Sequence, residues 1–83
     1  MNIREKLRLR KAEYDRIIAS KKPTSLEKRI LDCLMPEEVK EIAIRNYYQL
    51  YYNEHKTNRS ERTEVANEFL MKNIGMALLA WEK

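Results

Sequence analysis

The sequence predicts an all-α fold, a compact bundle of three long helices and one short helix. Only one glycine and two prolines occur among the 83 residues, whereas a β-rich fold needs turn-forming residues far more often. Hydrophobic residues make up 43% and charged residues 36% of the chain, which is typical of a globular domain. A chain of this length forms one small domain with a thin core, so residues 1–83 are expected to fold as a single unit.

The first helix is predicted over residues 2–20, where large apolar side chains recur on one narrow face. That face consists of Ile3, Leu7, Tyr14, Ile17 and Ile18. Arginine and lysine residues flank it, and Arg10 lies within it. Because Pro23 cannot continue a helix, it marks the first break.

The second helix, over residues 25–34, begins at a capping box. Thr24 is its predicted N-cap, and Glu27 is expected to return its carboxylate to the Thr24 backbone. Pro36 ends this segment and opens the third helix, over residues 36–55, with two glutamates behind it that suit the positive end of the helix dipole.

Four of the five tyrosines lie in the third helix, within the segment "YYQLYY". Aromatic rings can stack on the bases of single-stranded nucleic acid, but helices rarely present the flat platform that stacking needs. Helical spacing and the mixture with Leu50 instead favour tyrosines packed in the core, with hydroxyls reaching the surface. Tyr48 and Tyr52 are the two expected to point at a protein partner.

The fourth helix is predicted over residues 61–82, with Ser60 or Asn58 as its N-cap. We expect one apolar face to meet the core, formed by Val65, Phe69, Leu70, Ile74, Met76 and Trp81. The opposite side would then expose Met71, Leu78 and Leu79, and an exposed apolar patch usually marks an interface. The interpretation is either a homodimer through this helix, which we prefer, or a partner that covers the same face.

Positive charge is concentrated in the first third of the chain. Residues 1–30 hold ten lysines and arginines against four acids, whereas residues 31–83 hold seven against nine. Such asymmetry indicates contact with phosphates or with an acidic protein surface. The predicted contact residues are Arg4, Arg8, Arg10, Lys11, Lys21, Lys22, Lys28 and Arg29.

No motif for catalysis, metal binding or cofactor binding is present. His55 is the only histidine and Cys33 the only cysteine, so neither a zinc site nor an intrachain disulfide is expected. No apolar run approaches the length of a membrane span, and the charged start lacks the features of a signal peptide. These features predict a cytoplasmic protein that is not an enzyme, has no cofactor and does not enter a membrane.

Two functional hypotheses follow from this pattern. The first is a small binding protein, an adaptor or inhibitor, that acts by protein–protein contact on a nucleic-acid-handling complex through its basic first helix. The alternative is a regulator that contacts nucleic-acid phosphates weakly and without sequence specificity, through the first helix and the turn after it. A helix-turn-helix reader is disfavoured, because "MALLAWEK" is too apolar to read a groove and the helix after Pro36 opens with Glu37 and Glu38.

Overall fold

The computed structural model describes residues 2–82, and this part of the chain is all-helical, with no strand. The four helices are α1 (Ile3–Ala19), α2 (Ser25–Asp32), α3 (Glu37–His55) and α4 (Glu61–Trp81). The predicted all-α class is confirmed, and each predicted helix end lies within two residues of the observed one.

Side-chain caps start three of the helices. Asn2 Oδ1 accepts a hydrogen bond from the Glu5 backbone N–H at 2.9 Å, and Thr24 Oγ1 accepts one from Glu27 N–H at 3.2 Å. The Thr24 cap is as predicted, but the other half of the predicted capping box is not: the Glu27 carboxylate lies 2.5 Å from the ammonium of Lys21. Ser60 caps α4, as predicted.

The start of α3 lies one residue later than predicted. Pro36 is the N-cap and not the first helical residue, since its ψ of 146° is extended. No side chain caps this helix. The preceding residue, Met35, is buried in the core. The corner between α2 and α3 is therefore held by packing.

Helix α3 is the central element, against which each of the other three helices packs. The core is a cluster of buried residues from α2, the α2–α3 corner, α3 and α4. Its members are Ile30, Cys33, Met35, Ala43, Tyr47, Leu50, Ile74 and Leu78. Helix α1 buries only Ile17, and its first half leaves Ile3 and Leu7 exposed. The domain is consequently elongated, with extents of 48 × 25 × 21 Å.

The buried face of α4 is not the one that the sequence predicts. The helix turns Thr63, Asn67, Ile74 and Leu78 toward α3. Four residues that we expected in the core are exposed: Val65, Phe69, Met76 and Trp81. The physical reason is a buried amide pair, in which Asn53 Nδ2 donates to Asn67 Oδ1 at 2.9 Å. Because Asn53 donates to Asn67 and accepts from Gln49, two polar residues can occupy an interface where the apolar Phe69 was expected.

Gly75 lies in the interior of α4 with free space around it. An added Cβ would meet no atom within 4 Å. We therefore expect Gly75→Ala to raise the free energy of unfolding by about 1 kcal/mol, because alanine costs less backbone entropy in a helix interior. Urea unfolding would measure this, with Ala66→Gly, at an exposed position in the interior of the same helix, as the control that loses a similar amount. A loss of stability on Gly75→Ala would contradict the open environment of this position.

Candidate protein-binding groove

A groove of about 910 Å³ lies between α3 and α4. Val65, Ala66 and Phe69 of α4 form its apolar wall, and Gln49 and Asn53 of α3 line its other side. The side chain of Phe69 is 67% exposed, a high value for a phenylalanine on a regular helix. This groove therefore presents a large aromatic ring to solvent.

The polar groups at the base of the groove are bonded to one another. Gln49 Nε2 donates to Asn53 Oδ1 at 2.9 Å, and Asn53 in turn donates to Asn67 on α4. Because these amides form a chain, they hold α3 and α4 together at this level. With these amides bonded to one another, the apolar wall is the main part of the groove that is left for contact with another molecule.

Basic side chains stand at one end of the groove. Lys56 and Arg62 line it, and Glu61 is the one acid among its lining residues. The Lys56 ammonium lies 5.8 Å from the centre of the Tyr52 ring, which orients the side chain by a cation–π contact. The rim of the groove is therefore net positive.

The apolar wall belongs to a longer stripe on the solvent side of α4. The α4 stripe consists of Val65, Phe69, Lys72, Met76 and Leu79, spaced four, three, four and three residues apart, and every member is exposed. This spacing keeps side chains on one face of a helix and is the seam spacing of helix–helix packing. Lys72 is the one charged member, and it forms no ion pair with any residue between 2 and 82.

A second depression, of about 420 Å³, adjoins the groove on the α1 side. Gln49 lines both, and Leu7, Lys11 and Tyr52 are among the other lining residues of the smaller one. The rings of Tyr14 and Tyr52 meet here with centroids 5.1 Å apart. Burial raises the pKa of both phenols. Their packing therefore fixes α1 against α3 at this end of the domain.

The predicted basic surface is divided in the structure. Arg4, Arg8 and Lys11 share one exposed face of α1 by their four- and three-residue spacing, and Lys11 lies 3.7 Å from Asp15. Arg10 lines the depression beside Tyr52, near the C-terminal end of α3.

Lys22, Lys28 and Arg29 lie beyond α1. Lys22 is exposed in the turn before α2, and Lys28 and Arg29 line a separate depression that also contains Trp81. That depression is near the N-terminal end of α3, so the structure does not bring the eight predicted residues onto one surface.

Lys21 is not available for phosphate, contrary to the prediction. Its side chain and that of Glu27 are each 12% exposed, and its ammonium also lies 5.1 Å from the centre of the Tyr48 ring. The adjacent Glu27 carboxylate raises the pKa of Lys21, so the charge is held in a structural pair.

Arg29 is likewise engaged by a residue that is distant in sequence. Its Nε and Nη2 donate to the two carboxylate oxygens of Glu82 at 3.0 and 2.7 Å. This contact raises the pKa of Arg29 and lowers the pKa of Glu82. The bidentate pair ties α2 to the residue that follows α4, so it competes with any phosphate contact.

Of the two tyrosines predicted to face a partner, Tyr52 is buried against Tyr14 and does not point outward. Tyr48 is half-buried beneath Lys21. The Tyr47 hydroxyl lies 2.7 Å from Thr24 Oγ1, and Tyr51 stacks on His55 with centroids 4.1 Å apart. The tyrosines thus serve packing and the α2 cap, as the core interpretation predicts.

The exposed apolar residues of α4 differ in part from those predicted to form an interface. Leu78 is only 4% exposed and belongs to the core, so its assignment to the interface was wrong. Met71 and Leu79 are exposed, as predicted. Val65 and Phe69, which sequence reasoning placed in the core, are instead the main apolar residues of the groove. Their spacing with Met76 and Leu79 shows that the four residues share one face of α4, but it does not indicate whether that face is buried or exposed.

Between residues 2 and 82, no three or more His, Cys, Asp and Glu side chains are arranged so that they could hold a metal ion. Over the same range, no helix has both the length and the apolar character that crossing a bilayer requires.

The chain was compared with protein-family models, curated proteins and solved structures. No family model matches it, and neither the curated proteins nor the solved structures give a significant match.

Proposed function

We propose that this protein is a non-enzymatic binding protein, an adaptor or inhibitor, that docks on another protein through the α3–α4 groove. The observation that carries the proposal is the exposure of Phe69 on the wall of that groove. Aromatic residues and arginines are enriched at the centres of protein interfaces, and Phe69 and Arg62 lie on the same groove.

The chemistry of the groove favours a macromolecular partner over a small substrate. It is open along its length, and its amide groups are already bonded to each other. Small-molecule sites usually enclose the ligand and aim several unpaired polar groups at it. A long apolar wall with a charged rim instead suits the extended contact area of a protein.

A second candidate is phosphate binding through α1, within a nucleic-acid-handling complex. It is favoured by the exposed face of Arg4, Arg8 and Lys11 on α1. None of these three residues lines the groove. Such basic faces bind nucleic acid weakly and lose it as salt concentration rises. The two candidates use different residues, so one experiment separates them.

The test is capture from a lysate of the source cells with the tagged protein, with and without nuclease. We expect a protein to be retained after nuclease treatment by the wild type, and to be lost with Val65→Asp/Phe69→Asp. The matched control is Leu34→Asp, since Leu34 is 84% exposed and lies outside the groove.

Two results would contradict the groove as the docking site. One is capture that the groove variant leaves unchanged. The other is capture that disappears with nuclease and with Arg4→Glu/Arg8→Glu, which would instead favour the phosphate-binding candidate.

A further inference from the structure

We infer that the partner inserts an amphipathic α-helix with acidic residues into the α3–α4 groove, alongside the α4 stripe. This inference rests on the proposed function and adds to it the secondary structure and the charge of the segment that is bound. Three features support it: the helical backbone of residues 2–82, the spacing of the α4 stripe, and the charges around the groove.

A helix is the secondary structure that fits the groove. Strand addition requires an exposed sheet edge, and residues 2–82 contain no strand. The α4 stripe has the four-three spacing into which the side chains of a facing helix interlock. On the side of the stripe toward the groove, Ala66, Asn73 and Ala80 are small, so a helix can approach closely.

The charges around the groove select an acidic occupant. Lys56 and Arg62 stand at its rim, and Lys72 lies within the stripe between Phe69 and Met76. A helix that covers this stripe would surround the Lys72 ammonium with apolar groups unless it placed a carboxylate opposite. Burying an unpaired charge is costly, whereas a facing Asp or Glu compensates for it.

The same charges argue against a second copy of this chain as the occupant. In a parallel pair of α4 helices, Lys72 would meet Lys72 of the second copy. In a fully overlapping antiparallel pair, Glu61 would approach Glu82 of the second copy, and Lys72 would lie against apolar residues of the other stripe with no carboxylate opposite it. Neither arrangement compensates the charge of Lys72, which favours a heterologous partner over the homodimer that the sequence suggested.

The experiment uses two synthetic helical peptides of the same length as α4. Both carry leucines at four-three spacing; one has glutamates at the position opposite Lys72 and at the flanking positions, and the other has lysines there. Titration of the peptides with the 83-residue chain, followed by fluorescence anisotropy, should show that the glutamate peptide binds at least about tenfold more tightly. Phe69→Asp should abolish this binding, and Leu34→Asp should leave it unchanged.

Reversing two charges of the protein distinguishes charge-selective binding from nonspecific hydrophobic binding. Arg62→Glu/Lys72→Glu should reverse the preference, so that the lysine peptide binds more tightly than the glutamate peptide. Equal binding of the two peptides, or binding of neither, would overturn the inference. If lysate capture still depended on Phe69 in that case, the proposed function would stand and only the acidic helix would be excluded.

The solution mass of the wild-type protein tests whether a second copy of this chain occupies the groove. A monomer over the concentrations used for the titration is the expected result. A dimer that Phe69→Asp converts to a monomer would identify the second copy as the occupant and would overturn the inference.

Discussion

Replacing Ile74 with alanine is expected to lower the free energy of unfolding by about 2–5 kcal/mol. Ile74 is only 1% exposed and lies in the core between α3 and α4. Its truncation removes buried methyl and methylene groups and leaves a cavity that the surrounding residues fill only partly. Small domains have about 5 kcal/mol of stability in total, so this single change approaches global unfolding. Urea or thermal unfolding followed by circular dichroism would measure it.

Phe69→Ala provides the matched control on the same helix. It deletes a larger side chain than Ile74→Ala, yet Phe69 is mostly exposed, so we expect a loss below about 1 kcal/mol. Hydrophobicity and size alone predict the opposite order of the two effects. If Phe69→Ala were the more destabilising change, the face of α4 that packs on α3 would be the one inferred from sequence.

Lys21→Met is expected to cost about 3 kcal/mol of stability, although Lys21 is a charged residue outside the regular helices. Its ammonium and the Glu27 carboxylate are 2.5 Å apart and both side chains are largely covered. Removing one member of such a pair leaves the other charge without compensation in a place that water reaches poorly. Methionine preserves the packing of the side-chain stem over Tyr48, so the loss reports on the charge. Equilibrium unfolding of purified variants would measure it.

Two comparisons isolate this ion pair. Adding Glu27→Leu to Lys21→Met should recover most of the loss, because the uncompensated carboxylate is then gone. Arg45→Met breaks an ion pair in which the side chains are 75% and 64% exposed, and it should cost no more than about 0.5 kcal/mol. A loss from Lys21→Met as small as that from Arg45→Met would show that the Lys21–Glu27 pair is solvated.

The raised pKa of Lys21 also gives the pair a pH dependence with a definite sign. Its contribution is complete below the pKa of an unfolded lysine, about 10.4, and is lost as pH rises through the higher folded value. The raised pKa values of Tyr14 and Tyr52 act in the same direction, since the unfolded chain ionises first. Above about pH 10 the wild type should therefore lose more stability than Lys21→Met does.

Helix positions could be predicted because their signals are local. Thr24 and Ser60 cap the helices that follow them, and Pro23 and Pro36 lie at the breaks. A hydroxyl that accepts a backbone N–H three residues ahead, or a ring that excludes the helical hydrogen bond, acts within a few residues. Such signals can be recognised from the order of residues alone.

The candidate site could be predicted only in part. Sequence reasoning assigned an interface to α4, and Met71 and Leu79 are exposed there, but it placed Leu78 on the surface and Phe69 in the core. The error arose because apolar residues occur on both sides of this helix, so its sequence pattern does not distinguish the side that packs. The groove itself involves Gln49 and Asn53 of another helix and has no local signature.

By itself, therefore, the order of residues determined an all-helical domain, its four helices and the excess of positive charge in its first third. The tertiary structure alone decided which face of α4 is buried, because Asn67 can enter the core only when Asn53 of α3 satisfies its amide. It also decided which basic side chains remain free to contact a phosphate, because Glu82 binds Arg29 across 53 residues of sequence. The cost of burying a polar group depends on a partner that only the folded chain brings within reach.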